Sequence, residues 1–264
     1  YDLIYIDPPF GLQRELHMTE ADGTRKSFQD SWSNYDEYIE WLAGVIDGLY
    51  GLLKKDGWLY SHNQVEGNFL ALGKVDNKVR RSYYTNISWV RSHPHNNIRV
   101  GFGNIVDSIM VIRKGEPFFQ VEHAPLDPTY AANSFGHEDE RGNYALAPVT
   151  GEKSRPGHQY EYKGYSPTFG WRYAEEKTRE LDEQGLIHFG KNRPYKKIYR
   201  SESKGKPIQN LWDDISNLTR TERNKRNYPT QKPLKMLERI VRTSCPPGGR
   251  VLDQIVRASC RERV

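Results

Sequence analysis

The segment YDLIYIDPPF constrains the fold more than any other short stretch of the chain. Tyr1 to Ile6 reads as a buried strand. Asp7-Pro8-Pro9-Phe10 cannot extend it, because each proline lacks an N–H and fixes φ, and the residue before each proline is pushed away from helix. The strand therefore stops on a stiff turn. In an open parallel sheet, ligands sit outside the carboxyl ends of the strands, which is where this turn falls. Asp7 offers acceptor lone pairs, the Pro8 carbonyl offers another, and Phe10 offers a flat apolar face. Two acceptors and a ring suit a planar substrate that carries an amino group. The plainer reading is a strand-ending turn with a capping Asp.

The rest of the chain alternates strand and helix signals. A polar stretch from Gly11 to Trp32 reads as a mobile loop beside the turn. In DEYIEWLAGVIDGLYGLLKKDG the residues Ile39, Leu42, Val45, Ile46, Leu49, Leu52 and Leu53 recur at helical spacing. Asn34 or Asp36 suits the start of this helix, and Lys54, Lys55 and Gly57 suit its end. WLYSHN reads as a strand, NFLALGKVDNKV as a helix, and YYTNISWVR and NIVDSIMVIRKG as two more strands. Near the end, Leu234, Leu237, Ile240 and Val241 form a helical face, Pro246-Pro247-Gly248-Gly249 breaks it, and Arg250 to Leu252 begins a strand. This alternation predicts an α/β domain.

At 264 residues, with hydrophobic content of 36% and net charge +5, the composition is that of a polar globular chain. No apolar run approaches the roughly 20 residues of a membrane span, and no secretory leader is visible. Cys245 and Cys260 make neither a disulfide framework nor a metal cluster, so a reducing cytoplasm is the default expectation. A basic chain fits a polyanionic partner.

From Glu116 to about Arg226 the character changes to Pro, Gly, Tyr, Asn and charge, with one clear helix in WRYAEEKTRELDEQG. Basic and aromatic residues interleave there: Arg172, Lys191, Arg193, Tyr195, Lys196, Lys197, Tyr199 and Arg200. Such cations neutralise phosphates and such rings stack on bases, whereas the plainer reading is a solvated face of an irregular insert.

DPPF after an apolar strand resembles motif IV of the amino-methylating DNA methyltransferases. NYPTQKPLKMLERIV resembles their motif X, and GGRVLD the lead-in to their motif I. The order, with motif IV first and motifs X and I last, is that of the β class. SFQDSWSNYDEYIEWL and NLWDDI are also similar to stretches of the adenine-specific branch, including the modification subunits of type III restriction systems. The resemblance implies a Rossmann-like S-adenosylmethionine-dependent methyltransferase sheet with an inserted target-recognition region. On it, residues 1–115 are the first catalytic part and 116–226 the insert. Residues 227–253 carry motif X and the start of motif I, and 254–264 form a foreign tail.

The implied chemistry is methyl transfer from S-adenosylmethionine to N6 of a flipped adenine. The catalytic residues it implies are Asp7, Pro8, Pro9 and Phe10. Asp7, Thr230, Gln231, Lys232, Pro233 and Asp253 would bind the cofactor; Arg172, Lys191, Arg193, Lys196, Lys197 and Arg200 would meet DNA. Phe10 stacks on the base while Asp7 and the Pro8 carbonyl take its amino protons, so positioning supplies much of the rate. Double-stranded DNA is the implied partner, with a second copy of the chain and a restriction subunit as further partners known in the class. N4-cytosine methylation is the rival product, although Ser in place of Asp7 goes more often with cytosine. An RNA adenine methyltransferase would carry the same pocket, and a non-catalytic DNA-binding relic would keep the same scaffold. His62, Asp30 and Trp32 fall near the implied pocket; Trp212, Asp213 and Asp214 read equally as packing and capping.

The chain departs from the family at its end. Motif I leads into a glycine-rich turn whose amides approach the cofactor, yet Asp253 is followed by QIVRASCRERV, without glycine. The acidic residue expected after the following strand is absent as well. With a first residue already inside a strand and no starting Met, the chain reads as a fragment that binds cofactor weakly or not at all.

Overall fold

The computed structural model describes residues 1–11, 14–19, 25–30, 32–93, 99–151, 153–219 and 231–254, the strands at 14–19 and 25–30 by their backbone alone. The chain divides into two compact units, Tyr1–Glu122 with Ile208–Val264, and His123–Pro207.

The first unit is built on a six-stranded sheet. Its strands are β1 (Leu3–Ile6), β4 (Gly57–Asn63), β5 (Tyr83–Val90), β6 (Val106–Lys114), β13 (Leu211–Trp212) and β14 (Val251–Gln254), in the order β13-β5-β6-β4-β1-β14. β1 runs parallel to both neighbours, Leu3 facing Val251 on one side and Trp58 on the other. β6 is antiparallel to β4 and β5. β1 is buried along its whole length, as expected of a strand covered on both faces. Ile4, Ile6, Leu59, Met110 and Ile112 point into one apolar layer, and Leu3, Tyr5, Trp58, Tyr60, Ile109 and Val111 into the other.

Helix α1 (Tyr35–Leu52) covers the first face through Tyr38, Ile39, Leu42, Ile46 and Leu49. The Asn34 side chain accepts from the Glu37 amide at 2.8 Å, and the Glu37 carboxylate reaches back to the Ser33 amide at 2.9 Å. The arrangement is a variant of the capping box, with the returning carboxylate held by Ser33, the residue before the cap. The far end is capped from outside the helix: Lys114 Nζ donates to the carbonyls of Tyr50 and Leu53 at 3.0 and 2.8 Å, where a cation suits the helix dipole. The single helix expected over NFLALGKVDNKV is two, α2 (Val65–Lys74) and α3 (Asn77–Arg81). The Asp76 amide donates to the Asp47 carboxylate on α1 instead of continuing the helix.

Helix α6 (Leu234–Ser244) covers the second face with Leu237 and Ile240, as its spacing suggests, and with residues the spacing does not mark. Met236, Arg239, Ile240, Thr243 and Ser244 are buried, while Leu234 and Val241 are exposed. Arg239 forks onto Asp214 and lies 5.0 Å over the Trp212 ring, so a cation occupies the inward face. Part of the stretch expected as a loop after the turn is a hairpin of β2 (Arg14–Thr19) and β3 (Arg25–Asp30), which sets Leu16 opposite Phe28.

The second unit lies within the stretch read as an insert. Besides the expected helix, α5 (Glu175–Glu183), it holds α4 (Pro128–Ser134) and a four-stranded antiparallel sheet. The strands are β8 (His137–Asp139), β9 (Gly142–Pro148), β10 (Ile187–Phe189) and β11 (Pro194–Tyr199), ordered β10-β11-β9-β8. β8 and β10 have only three residues each, and β11 carries two lysines, which hides the sheet in the sequence. Val149, Tyr162, Trp171, Leu181 and Ile187 form a core of their own. A two-stranded ribbon of β7 (His123–Ala124) and β12 (Lys206–Pro207) joins the ends of the unit. Among the described residues, no helix is long and apolar enough to cross a membrane.

Candidate active site

Asp7 follows the carboxyl end of β1, between the ends of β14 and β4. The chain leaves β1 for α1 and β4 on one side, while β14 arrives after α6 on the other. Such a reversal of strand order opens the crevice in which α/β sheets bind ligands.

The turn after Asp7 is held tightly. Gly11 has φ +68°, and a Cβ there would lie 2.7 Å from Cδ1 of Tyr38, so only glycine fits. The Tyr38 hydroxyl donates to the Pro9 carbonyl at 2.7 Å. Asn63, the last residue of β4, donates in turn to that hydroxyl. Tyr38 is fully buried and packs beside Trp32 and Trp41. The sequence reading missed both Tyr38 and Asn63, because an aromatic residue on an apolar helix face signals only core.

Lys232 reaches the site from the segment before α6. Its Nζ lies 2.8 Å from Asp7 Oδ1 and 5.1 Å over the Phe10 ring, with both side chains of the ion pair mostly covered. The structure thus brings together Asp7, Phe10 and Lys232 from opposite ends of the sequence. The side-chain oxygen of Gln231 is buried without a hydrogen-bond partner, an arrangement that favours a ligand donor. Pro233 is buried at the start of α6, and Thr230 lies outside the described residues. Asp253 stands opposite Tyr5 in the β1–β14 register. Its carboxyl is raised above the usual range by partial desolvation and by the negative charge of Asp7.

Beneath the turn, His62 is fully buried. Its Nδ1 lies 2.9 Å from the Tyr5 hydroxyl, its Nε2 lies 3.3 Å from Asp107, and its ring centroid is 6.0 Å from that of Phe10. Burial lowers its pKa, and the charge of Lys232 lowers it further; the neutral imidazole serves as a floor for the Phe10 ring. Burial likewise keeps the Tyr5 phenol protonated. Asp107 is paired on its other oxygen with Arg91 at 2.7 Å. Trp212 and Asp214 pack and pair with Arg239, while Trp32 is buried against Tyr38.

In the second unit the cations singled out from sequence have different surroundings. Lys197 pairs with Asp139 at 2.6 Å and lies 4.9 Å over the Tyr144 ring. Arg193 bonds to the Tyr195 hydroxyl at 2.6 Å, and Lys196 lies 5.9 Å over the Tyr173 ring. Lys191 and Arg200 are exposed. Arg172 lines a cleft of about 430 Å³ with Lys153, Arg155, Trp171 and Tyr173. The sequence reading did not pick out Lys153 or Arg155.

The fold thus sets a rigid acid-and-aromatic turn, faced by a lysine, at the switch point of an α/β sheet. The DNA methylase family model matches residues 1–254. The chain belongs to that family, whose members methylate the exocyclic N6 or N4 amines of DNA bases, and its sheet is of the kind found in S-adenosylmethionine-dependent methyltransferases. It is similar to the type II methyltransferase M.EcaI of Enterobacter cloacae, 28% identical over 95% of the chain and 56% of the relative. It is also similar to the Mod subunit of the type III restriction-modification enzyme StyLTI of Salmonella typhimurium, 24% identical over 96% of the chain and 44% of the relative. A third relative, the DNA adenine methyltransferase YhdJ of Escherichia coli, is 23% identical over 96% of the chain and 63% of the relative. The chain thus spans from less than half to under two thirds of the length of these curated relatives.

Proposed function

We propose that this chain carries the target-amine pocket of a DNA methyltransferase acting on N6 of a flipped adenine. The observation that carries the reading is Asp7, fixed by Lys232 beside the Phe10 ring at the carboxyl end of β1. Phe10 stacks on the extruded base. Lys232 holds one oxygen of Asp7, and the carboxylate accepts one amino proton of the base. The Pro9 carbonyl is engaged by Tyr38, so the Pro8 carbonyl is the acceptor for the second. With both N–H groups drawn into hydrogen bonds, the lone pair gathers on the exocyclic nitrogen, and Asp7 is placed to receive the proton that the amine releases.

The residues present fit S-adenosylmethionine, which supplies an electrophilic methyl group when bound. Its methionine end carries a carboxylate and an ammonium. Lys232 offers a cation to the first; Asp253 and the unpartnered Gln231 oxygen offer acceptors to the second. The residues after Gln254, where the sequence lacks the family's glycine-rich turn, lie outside the described residues. In the second unit, Lys191 and Arg200, with Arg172 and its neighbours, supply contacts to the DNA backbone. A restriction subunit is a proposed partner, by similarity to the Mod subunit relative.

The test is nucleoside mass spectrometry of unmethylated double-stranded DNA incubated with S-adenosylmethionine and the chain, or the chain extended with a glycine-rich motif I. N6-methyladenine that disappears in Asp7→Ala, with DNA affinity retained, supports the reading. N4-methylcytosine overturns the choice of adenine. No product from either protein overturns the enzyme.

A further inference from the structure

We propose that Tyr38 is a positioning residue for the amine pocket, acting through the backbone of the Asp7–Gly11 turn; this rests on the function proposed above. Two facts separate Tyr38 from an ordinary core aromatic. Its hydroxyl has a partner on each side, donating to the Pro9 carbonyl at 2.7 Å and accepting from the Asn63 side chain. Its ring also lies against the one face of Gly11 where a side chain cannot stand. The first contact fixes the peptide after Pro9, and the second fixes the turn's exit.

Asn63 is itself oriented, because its side-chain oxygen accepts from the Gln64 amide at 2.7 Å. The hydrogen-bond direction therefore runs from the end of β4 through Tyr38 to the turn. A tyrosine hydroxyl has a single proton, and the Asn63 N–H requires its lone pair, so that proton is committed to Pro9.

The consequence is selective. Prolines remove the N–H groups by which a turn usually locks itself, and Phe10 depends on the course of the backbone before it. Tyr38 supplies the missing lock from α1, whose capped first turn is anchored by Asn34 and Glu37. It also takes up one of the two proline carbonyls, which leaves the other for substrate. A shift of about 1 Å in such a turn is enough to cost on the order of a hundredfold in rate.

The experiment compares the chain with Tyr38→Phe, which keeps the ring and loses only the hydroxyl. Amide hydrogen exchange is followed at Phe10 and Gly11. Single-turnover methyl transfer is measured with the motif I-extended protein at saturating DNA, alone and in an Asp7→Asn background. The expected result is exchange about tenfold faster or more in the turn, with α1 and β4 unchanged. The transfer rate should fall about tenfold or more while DNA affinity stays within about twofold, and the added loss should vanish when Asp7 is already Asn. Unchanged exchange overturns the proposal, as does faster exchange with an unchanged rate. If even the parent protein transfers no methyl group, the proposed function fails separately, and the exchange measurement still decides whether Tyr38 locks the turn.

Discussion

Replacing Lys232 by Met tests how the two ends of the sequence are joined at the site. The variant keeps the aliphatic stem and removes only the charge. In the parent, Nζ lies 2.8 Å from Asp7 Oδ1, with the two side chains 15% and 12% exposed, and 5.1 Å over Phe10. An exposed ion pair contributes at most about 1 kcal/mol, and orphaning one partner of a fully buried pair costs about 3–5 kcal/mol. This pair lies between those limits, so the loss should be about 2 kcal/mol. The cation–π contact adds about 0.5–1 kcal/mol. The total of about 2–3 kcal/mol is readable in urea denaturation followed by tryptophan fluorescence, because Trp58, Trp89 and Trp212 are buried in the same unit. A double-mutant cycle with Asp7→Asn should show coupling of at least about 1 kcal/mol, since the paired residues share one interaction. A Lys232→Met protein within about 0.5 kcal/mol of the parent, without coupling, would show that Lys232 is a solvated residue ahead of α6 and that Asp7 needs no counter-charge.

Leu42→Ala removes a fully buried side chain between α1 and the sheet and should cost about 2–5 kcal/mol in denaturation; a loss below about 1 kcal/mol would mean that this face is not close-packed. Gly11→Ala forces a side chain into a left-handed conformation against the Tyr38 ring. It should cost more than about 1 kcal/mol and lower methyl transfer, measured as incorporation of labelled methyl into DNA. In the His123–Pro207 unit, Lys197 and the Tyr199 hydroxyl hold the Asp139 carboxyl down at about 2. An acid with a depressed pKa stabilises the fold above its ordinary value near 4, and the contribution is lost as pH falls through about 2. Thermal unfolding of this unit between about pH 5 and 2 should therefore show an acid limb that Lys197→Met flattens; an unchanged limb would place the acid sensitivity elsewhere.

Most of the sheet was legible because burial on both faces writes itself as apolar runs, as in Leu3–Ile6 and Trp58–Tyr60. α1 was legible from its spacing and its Asn34 cap. What the sequence concealed was set by tertiary contacts. The break between α2 and α3 depends on the Asp47 carboxylate, a neighbour only after folding. The inward face of α6 includes Arg239, which any polarity pattern assigns to solvent, yet its stem packs on Trp212 while its head reaches Asp214. The sheet of the second unit was hidden for the same reason. In β11, Lys197 is spoken for by Asp139 and Tyr199 is buried, so the strand's apolar alternation is broken by a cation with an internal partner.

The site divides along a similar line. Asp7 and Phe10 were readable from a local pattern, a stiff turn that survives without knowledge of the fold, whereas Lys232 was singled out through the motif X resemblance, its local pattern reading only as the entry to a helix. Tyr38 and Asn63 belong to no such pattern. Their roles arise because the chain leaves β1 through α1, which lies on one face of the sheet, and returns as β4 beside β1. That crossover carries a tyrosine near the start of α1 and an asparagine at the end of β4 to the same turn. α6, packed on the opposite face, delivers Lys232 from the other side. The crevice at a switch point thus has walls supplied by crossovers on opposite faces. A residue that supports such a site from a crossover helix is invisible to a motif, because its partners are defined by topology. The turn itself has only backbone carbonyls, one carboxylate and one ring with which to act. Its support must therefore come from those crossovers, with Tyr38, Lys232 and His62 among the described side chains that reach it.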